Sequence, residues 1–441
     1  MYCSHYFTSI LLGHLLIKPI IAITFPSLPS FPSIKDEIFP GFDTNGYQVP
    51  RIQLTYVHGV PTLPFSIGTP PQQFVGIFDT SSPVSWVMSE KCNSTACKAV
   101  SSSQKYHPEA SSTNFKFPLR VDISYLDGSH VQLKPELDAV TFDGKFTIPR
   151  HLVAEAYQVD YPKGYLAPAN ARLGMGDFGS IDWSKTKYNF DISDVAPIPN
   201  PFSGVFRSKR ASGDTRYSVG AASSGSSGFR KRGPLIDSVL SSSFFILGVD
   251  KSFYKGPVYE LPLIPLMGFR SPFWKIPVTG FQFLDMNATY QSNPQFSFPS
   301  GAYGKIDSSS PVLTVPSATA DKMNSALGAV YNANLNVYTI PCSFYETAPW
   351  LTIQFGIGVK AHIPPSQYIY KFEGANGGCY TAIAGGSDSQ NVYLGGPFFR
   401  SFYLIFHYSG FNVGIAESVS NESGRLTVDT NGGGPVPKIL N

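Results

Sequence analysis

The sequence predicts an all-β protein built from two lobes related by a pseudo-twofold axis. Only 14% of its 441 residues are charged and 14% are aromatic, and glycine and proline are frequent, as in chains made of many short strands and turns. A chain of this length can form two lobes, each with its own hydrophobic core. One pattern, an aspartate followed by three hydroxyl residues, proline and valine, occurs at residues 79–84 and again at 307–312. This repetition indicates two halves of similar structure.

The amino-terminal segment is typical of an exported protein. Residues 1–23 contain an apolar run and predict a signal peptide, although His14 and Lys18 interrupt the run. An uncleaved anchor is the alternative, but the run is short for a membrane span and no second apolar segment of spanning length follows. Residues 24–55 are rich in proline and serine and predict a propeptide or an amino-terminal arm. We therefore expect an exported chain without a stable membrane span.

The remaining chain divides into two lobes and a tail. Residues 56–250 are expected to form the amino-terminal β lobe, and residues 251–420 the carboxyl-terminal β lobe. Residues 421–441 form a polar, glycine-rich tail. The pseudo-twofold relation places a cleft between the lobes, where the two repeated loops face each other.

Individual elements follow from local patterns. Short apolar runs bounded by turn residues predict strands at 74–78, 121–125 and 403–406. Residues 317–329 follow Pro316 and form the best helical pattern. The sequence therefore predicts many strands and one short helix.

A basic segment interrupts the first lobe. Residues 200–234 are rich in glycine and serine and predict a solvated, unstructured insertion. The insertion concentrates the positive charge of a chain whose net charge is only +3, which argues against a nucleic-acid partner. Two dibasic pairs within it are candidate processing sites, Lys209-Arg210 and Lys231-Arg232. We expect a monomer, which consists of two chains if these pairs are cut and of one chain if they are not. The alternative interpretation is that the segment is only a solvated run of charged residues and is not a processing site.

Several segments in order along the chain resemble the pepsin-like aspartic proteases. Residues 65–74 resemble the family's first-strand signature, and Trp86 follows the first aspartate at the family's spacing. Residues 125–129 look like the flap hairpin with its tyrosine, Tyr125. Further matches are the Leu-Gly pairs at 173–174 and 394–395 and the stretch 248–256. The resemblance covers roughly residues 56–418, and its order and spacing make it specific.

The resemblance implies a fold and a chemistry. The fold is the bilobal acid-protease fold, with the active-site cleft between two β lobes. The activity is that of an aspartic endopeptidase, in which Asp79 and Asp307 share a proton and activate a water molecule at acidic pH. Neither a metal nor a cofactor is expected, and the substrates are proteins or peptides. The resemblance also implies supporting roles around the dyad for Thr80, Ser82, Ser308, Ser310, Tyr125 and Trp86.

The two catalytic loops depart from the family pattern at one position. The family places glycine two residues after each aspartate, whereas this chain has Ser81 and Ser309. A side chain there can crowd the dyad or the substrate. Two interpretations follow: a working dyad of altered geometry, or a catalytically impaired homologue that binds a protein or a glycan. A structural wall or matrix protein is a third, weaker alternative. The retained hydroxyls favour the enzyme.

The cysteines and sequons fit an exported protein. Cys3 lies in the predicted leader, and the other four cysteines allow three pairings. Two pairs resemble disulfides of the family, Cys92–Cys97 and Cys342–Cys379. Candidate glycosylation sites lie at Asn93, Asn287 and Asn421. Disulfides form in oxidising compartments, so we expect secretion, with the cell wall or an acidic vacuole as alternatives.

Overall fold

A computed structural model describes most of the chain from residue 51 onward. The described residues are 51–82, 84–118, 120–125, 128–142, 144, 146–162, 167–176, 216–221, 243–246, 249–264, 274–284, 294–372, 378–407, 411–420, 423–429 and 439–440. The predicted signal peptide and both dibasic pairs lie outside these residues, as do Asn287 and Asn421. The predicted boundaries of leader, arm and lobes stay predictions.

The described residues are mostly in strands, which confirms the predicted all-β class. In the first half of the chain the strands are β1 (Arg51–Val57), β2 (Val60–Ile67), β3 (Gln72–Asp79), β4 (Trp86–Met88), β5 (Phe115–Lys116), β6 (Val121–Ser124), β7 (His130–Phe142), β8 (Phe146–Asp160), β9 (Ala171–Gly174), β10 (Arg216–Ala221) and β11 (Ser243–Ile246).

The second half continues with seventeen strands among the described residues. They are β12 (Tyr254–Pro262), β13 (Lys275–Leu284), β14 (Gln295–Ser297), β15 (Tyr303–Ile306), β16 (Leu313–Pro316), β17 (Val330–Asn332), β18 (Val337–Ile340), β19 (Trp350–Phe355), β20 (Val359–Ile363), β21 (Ile369–Lys371), β22 (Cys379–Thr381), β23 (Ile383–Gly386), β24 (Val392–Leu394), β25 (Phe402–His407), β26 (Asn412–Ser418), β27 (Arg425–Val428) and β28 (Ile439–Leu440).

Helices are few and short in the described part of the chain. The longest, α2, follows Pro316 as predicted and ends three residues before the expected boundary. None of the described helices combines the length and the apolar character needed to cross a membrane. The helices are α1 (Thr95–Lys98), α2 (Ser317–Ala326), α3 (Phe344–Thr347), α4 (Pro365–Tyr368) and α5 (Gly396–Ser401), with single 3-10 turns at Ser102–Gln104, Pro108–Ala110 and Lys251–Phe253.

The largest sheet contains strands from both halves of the chain. Its order is β28-β12-β26-β25-β10-β11-β1-β2-β3-β9-β4-β8-β7-β5, and β6 pairs with β7. Strand β1 links its two parts, because it pairs with β11 on one side and with β2 on the other. A second sheet, of second-half strands, has the order β23-β16-β24-β15-β13-β19-β20-β27, with β14 beside β13. A small third sheet has the order β17-β18-β22-β21.

One sequence prediction about the basic insertion is wrong in part. We expected residues 200–234 to be unstructured, but Arg216–Ala221 form β10, which pairs antiparallel with β11 and β25. The alternation of Tyr217, Val219 and Ala221 with other residues is compatible with a strand, and the surrounding glycine, serine and basic residues concealed it. This strand is held in the sheet by partners that lie far away along the sequence.

The strands bury both lobes' apolar faces, and two disulfides lie among them. Strand β25 is buried on both faces except at its end, as expected for a central strand. Bridges Cys92–Cys97 and Cys342–Cys379 are present, which confirms the predicted pairing. The bulkiest buried side chains include Trp86, Phe78, Phe281 and Tyr403.

A pair of acidic side chains is buried in the first-half sheet. Glu136 on β7 and Glu155 on β8 are both buried. Asn114 donates to Glu136 at 2.7 Å, and the Ser89 hydroxyl donates to Glu155. Burial raises the pKa of Glu136 to about 7, and the neighbouring Glu155 adds to this effect. One carboxyl of the pair is therefore protonated at acidic pH.

Candidate active site

The two repeated aspartates lie at equivalent places in the two halves. Asp79 ends β3, and Asp307 directly follows β15. Each strand pairs in parallel with a second strand that carries a leucine: Phe78 lies opposite Leu173, and Ile306 lies opposite Leu394. Both aspartates are buried. The duplication seen in the sequence is thus also a duplication of strand pairing.

Reciprocal hydrogen bonds join the two loops. The Thr80 N–H donates to the Ser308 hydroxyl at 2.9 Å, and the Ser308 N–H donates to the Thr80 hydroxyl at 3.0 Å. Each hydroxyl then donates to a carbonyl of the opposite strand: Thr80 to Ile306 at 3.1 Å, and Ser308 to Phe78 at 2.6 Å. Because all four bonds are buried, they fix one loop relative to the other.

The serines that replace the family's glycines contact the aspartates directly. In the first loop, the backbone N–H and the hydroxyl of Ser81 both lie 2.8 Å from Asp79 Oδ1. In the second, the N–H of Ser309 lies 3.0 Å, and its hydroxyl 2.7 Å, from Asp307 Oδ1. Each side chain therefore adds a hydrogen-bond donor to one carboxylate oxygen, and donors of this kind favour the ionised form.

The next two serines point elsewhere. The Ser82 hydroxyl accepts from the Val84 N–H at 3.3 Å, and the Ser310 hydroxyl donates to the Val312 carbonyl at 2.9 Å. We expected these hydroxyls to support the carboxylates. The described hydrogen bonds place them in their own turns, and the Ser82 hydroxyl also bonds to the Tyr125 side chain. The hydroxyls that donate to the aspartates belong to Ser81 and Ser309. The supporting roles of Ser82 and Ser310 stay predictions.

An arginine that the sequence analysis missed lies against the dyad. Arg172 in β9 is only 2% exposed, and its Nη1 is 2.7 Å from Asp79 Oδ2. The same nitrogen is 3.4 Å from the Ser309 hydroxyl, so it reaches toward both loops. A signal was available: the segment Ala-Arg-Leu-Gly reads as a buried strand, and a charged residue within a buried strand needs a partner.

One aromatic side chain covers the arginine, and a second one holds the first in place. The Arg172 guanidinium carbon is 3.9 Å from the centroid of the Tyr125 ring, a cation–π contact. The Trp86 Nε1–H donates to the Tyr125 hydroxyl at 2.9 Å. Burial raises the pKa of Tyr125 to about 12, so the phenol stays neutral. The expected flap tyrosine is thus connected to Asp79 through a cation.

A second basic residue lies near the dyad. Lys305 on β15 precedes Asp307 by two residues, and the charges of Asp307 and Asp79 both favour its protonated form. Burial outweighs them and lowers the pKa of Lys305. Burial, followed by the charge of Asp79, raises the pKa of Asp307, although Lys305 and Arg172 oppose this shift. Asp307 therefore keeps its proton to higher pH than an exposed aspartate.

This arrangement can hold a proton between two carboxylates and supports acid–base chemistry. One carboxyl is held protonated by burial, and the other is paired with a cation. Within the described residues, no group of three or more His, Cys, Asp or Glu side chains could hold a metal ion.

Comparison with known families agrees with this geometry. The profile described as "Eukaryotic aspartyl protease" matches residues 62–225 and 237–418, most of the chain and both aspartate loops. The chain belongs to the eukaryotic aspartyl protease family. The two matched blocks leave out residues 226–236, the end of the basic insertion.

Among the relatives of this aspartyl protease family are gastricsins and pepsins, all at low identity. Gastricsin of Cavia porcellus is 25% identical over 386 residues, covering 85% of this chain and 84% of that protein. Pepsin-2B of Gadus morhua is 24% identical over 355 residues, covering 80% of this chain and 94% of that protein. Pepsin A of Canis lupus familiaris is 25% identical over 361 residues, 79% of each chain. The similarity extends across both lobes.

One predicted glycosylation site of this aspartyl protease lies among the described residues. Asn93, the candidate glycosylation site between Cys92 and Cys97, is exposed. Exposure is what modification of this side chain requires.

Proposed function

We propose that the protein is an aspartic endopeptidase that hydrolyses peptide bonds of proteins at acidic pH, with Asp79 and Asp307 as its catalytic pair. One observation carries the proposal: the reciprocal bonds between Thr80 and Ser308 hold two buried carboxylates at the ends of equivalent strands. Preorganised groups of this kind need no rearrangement during reaction.

The environments of the two aspartates support different catalytic roles, one as general acid and one as general base. Asp307 has a raised pKa and carries the shared proton, so it donates to the peptide carbonyl oxygen. Asp79 is paired with Arg172 and is the ionised member, which takes a proton from the attacking water. The water oxygen bonds to the carbonyl carbon and forms a tetrahedral intermediate. Asp79 then passes its proton to the peptide nitrogen, the C–N bond breaks and releases the amine, and Asp307 takes back a proton from the oxygen that it had protonated. Tyr125 closes the site from above.

Peptide hydrolysis tests the proposal. The mature protein is incubated with a mixed peptide library from about pH 3 to about pH 7, where carboxyl pairs titrate. We expect cleavage at acidic pH that is lost in Asp79→Asn and Asp307→Asn. The matched control is Asp321→Asn, which removes an exposed aspartate from α2 and should retain activity. Absence of cleavage by the folded protein would overturn the proposal.

Arg172 favours a second candidate, a catalytically impaired homologue that binds a protein or a glycan. Its ion pair engages Asp79 Oδ2, and its guanidinium lies under Tyr125, where a substrate must pass. A statine-type transition-state analogue separates the two candidates. It should raise the melting temperature of a working protease strongly at acidic pH, whereas an impaired cleft would show no shift.

We further propose that the protein is secreted and works as a monomer, intact or cut into two chains. The two disulfides support an oxidising compartment. Retention in the cell wall or an acidic vacuole is the alternative. Intact-mass analysis of the culture medium would test secretion, the leader boundary and cleavage at the dibasic pairs together. A single chain of full mature mass would argue against cleavage.

A further inference from the structure

The loop that carries Asp307 receives a hydrogen bond from a tyrosine that lies far along the chain. Tyr370 on β21 donates its phenol hydrogen to the Pro311 carbonyl at 2.9 Å. Pro311 follows Asp307 within the same repeated segment, residues 307–312. Tyr370 is buried, and burial raises the pKa of its phenol, so the hydroxyl keeps the proton that it donates. The second aspartate loop therefore has a buried hydrogen-bond partner besides Thr80.

A buried arginine holds Tyr370 in place. Arg400 on α5 is 8% exposed, and its Nη2 donates to the Tyr370 hydroxyl and, at 3.2 Å, to the Gln367 carbonyl. Its guanidinium carbon lies 4.6 Å from the centroid of the Tyr370 ring. The phenol oxygen accepts from a cation while its hydrogen goes to Pro311, and a hydroxyl polarised in this way is a stronger donor. Arg400 therefore orients the Tyr370 ring and strengthens its bond to the loop.

A glycine makes room for this hydrogen bond. A Cβ atom at Gly396 would lie 2.6 Å from the Pro311 carbonyl oxygen and 3.1 Å from the Tyr370 hydroxyl. The Gly396 N–H donates to the Ser310 carbonyl at 2.8 Å. Two successive carbonyls of the loop therefore have their donors at this place, one from the backbone of α5 and one from Tyr370.

The bond to Pro311 acts on Asp307 through the turn between the two residues. Ser309 lies in this turn, and its N–H and hydroxyl donate to Asp307 Oδ1 at 3.0 and 2.7 Å. The Ser310 N–H donates to the Asp307 carbonyl at 3.3 Å and completes the turn. A shift at the end of the turn changes the length and angle of these bonds, and hydrogen bonds weaken steeply when their geometry degrades. The placement of Pro311 therefore also places the donors on Asp307.

We propose, resting on the proposed protease function, that Tyr370 and Arg400 are positioning residues for the general acid Asp307. Tyr370 acts on the aspartate loop through the Pro311 carbonyl, and Arg400 acts through the Tyr370 hydroxyl. Neither side chain needs to contact the substrate. Together they set how closely Ser309 holds the Asp307 carboxyl, and so they set the alignment of that carboxyl in the reaction.

The variant Tyr370→Phe tests the hydroxyl and keeps the ring. Peptide cleavage by the mature protein is measured from about pH 3 to about pH 7. We expect kcat to fall at least about fivefold with KM changed by less than about twofold, because the alignment of Asp307 matters in the transition state. The basic limb of kcat/KM should move upward by up to about half a pH unit, because weaker donors leave Asp307 protonated to higher pH.

The charged and titratable groups around these two side chains are known. Around Tyr370 they are Arg400 on α5, Tyr380 on β22 and Tyr56 on β1. Around Asp307 they are Asp79, Lys305 and Arg172. Tyr370→Phe leaves all of these groups in place, so a shift of the basic limb reports the hydrogen bonds of the loop.

Tyr368→Phe is the matched control. Tyr368 on α4 is buried and also donates its phenol hydrogen to a proline carbonyl, that of Pro349, at 2.6 Å. Both variants should lower the melting temperature, because each leaves a buried carbonyl without its phenol donor. Only Tyr370→Phe should change kcat and the pH profile.

A double-mutant cycle tests whether Arg400 acts through Tyr370. Arg400→Lys keeps the charge and loses the planar guanidinium. Alone, it should lower kcat at least about threefold and move the basic limb in the same direction as Tyr370→Phe. In the Tyr370→Phe background it should lower kcat by less than about twofold further. If Tyr370→Phe does not fold, Arg400→Lys takes its place in the comparison with Tyr368→Phe.

The outcomes separate this inference from the proposed function. A less stable Tyr370→Phe variant with the unmodified kcat and pH profile would overturn the inference and leave the protease standing. Equal losses of kcat in Tyr370→Phe and Tyr368→Phe would also overturn it, since any buried phenol would then have the same effect. Fully additive losses in the cycle would overturn the role of Arg400. Absence of cleavage by the folded, unmodified protein would overturn the proposed function and the positioning role together.

Discussion

At the scale of single residues, the two serines that replace glycine are part of the site. Ser81 and Ser309 each place a hydroxyl on the carboxylate they follow. A glycine leaves that carboxylate with one donor fewer. At Asp307 this hydroxyl lowers the carboxyl pKa, and Ser81 makes the equivalent contact with Asp79.

Removing one hydroxyl should move the pH–rate profile in a defined direction. The Ser309 hydroxyl lowers the pKa of Asp307 by stabilising its ionised form. In Ser309→Ala, Asp307 keeps its proton to higher pH, so the basic limb of kcat/KM should shift upward by about half to one pH unit. Ser310→Ala is the control, because that hydroxyl bonds to the Val312 carbonyl. A basic limb that moves to lower pH would contradict the assignment.

At the scale of structural elements, the two aspartate loops depend on each other. The Thr80 hydroxyl accepts from the Ser308 N–H and donates to the Ile306 carbonyl. Both partners belong to the other half of the chain. A change in the first loop therefore displaces the aspartate of the second.

Thr80→Val keeps the side-chain shape and removes the hydroxyl, so it tests this dependence. It leaves a buried N–H and a buried carbonyl without their partner, which should lower the free energy of unfolding by about 1–3 kcal/mol. Hydrolysis should fall at least about tenfold, since the dyad loses its alignment. Thr80→Ser restores the hydroxyl and should recover most of both losses. Urea unfolding and peptide kinetics provide the measurements. If Thr80→Val and Thr80→Ser gave the same unfolding free energy and the same rate of hydrolysis, the Thr80 hydroxyl would not have this aligning role.

At the scale of the whole molecule, stability depends on pH through the buried acids. Burial raises the pKa of Glu136 to about 7, from 4.5 in an exposed glutamate. The folded state therefore binds this proton more tightly than the unfolded chain does. Its contribution to stability is complete below about pH 4.5 and is lost as pH rises through about 7.

Glu136→Gln removes this dependence. Relative to the variant, the unmodified protein should lose at most about 3 kcal/mol of unfolding free energy between about pH 4.5 and about pH 7.5. Parallel thermal or urea unfolding at several pH values measures the difference. Glu346→Gln, which changes an exposed glutamate on α3, should give a curve parallel to the unmodified protein. If the difference in unfolding free energy between Glu136→Gln and the unmodified protein does not change with pH, the pKa of this carboxyl does not change on unfolding.

Sequence reasoning reached the fold and singled out the two aspartates, because both leave repeated signals. The aspartate loops occur twice, and the strand and turn alternation is regular, so the class and the two lobes could be predicted. The two disulfides could be predicted only through the resemblance to the pepsin-like family. The sequence analysis did not identify Arg172 as a site residue, because a single residue within a four-residue strand forms no periodic pattern. Its partner Asp79 is also 93 positions away along the chain. Strand β10 was not predicted, because its pairing with β11 and β25 holds it extended and its local composition does not indicate a strand.

The bonds between Thr80 and Ser308 span 228 positions, and this separation orders events during synthesis. When Asp79 leaves the ribosome, the loop that must align it has not yet been translated. Strand β25, which completes the sheet beside β10, is made later still. A growing chain therefore contains Asp79 and Arg172 before Asp307 exists, and the aligned pair of loops requires almost the entire polypeptide. For the protease proposed above, hydrolysis therefore begins only when synthesis is nearly complete.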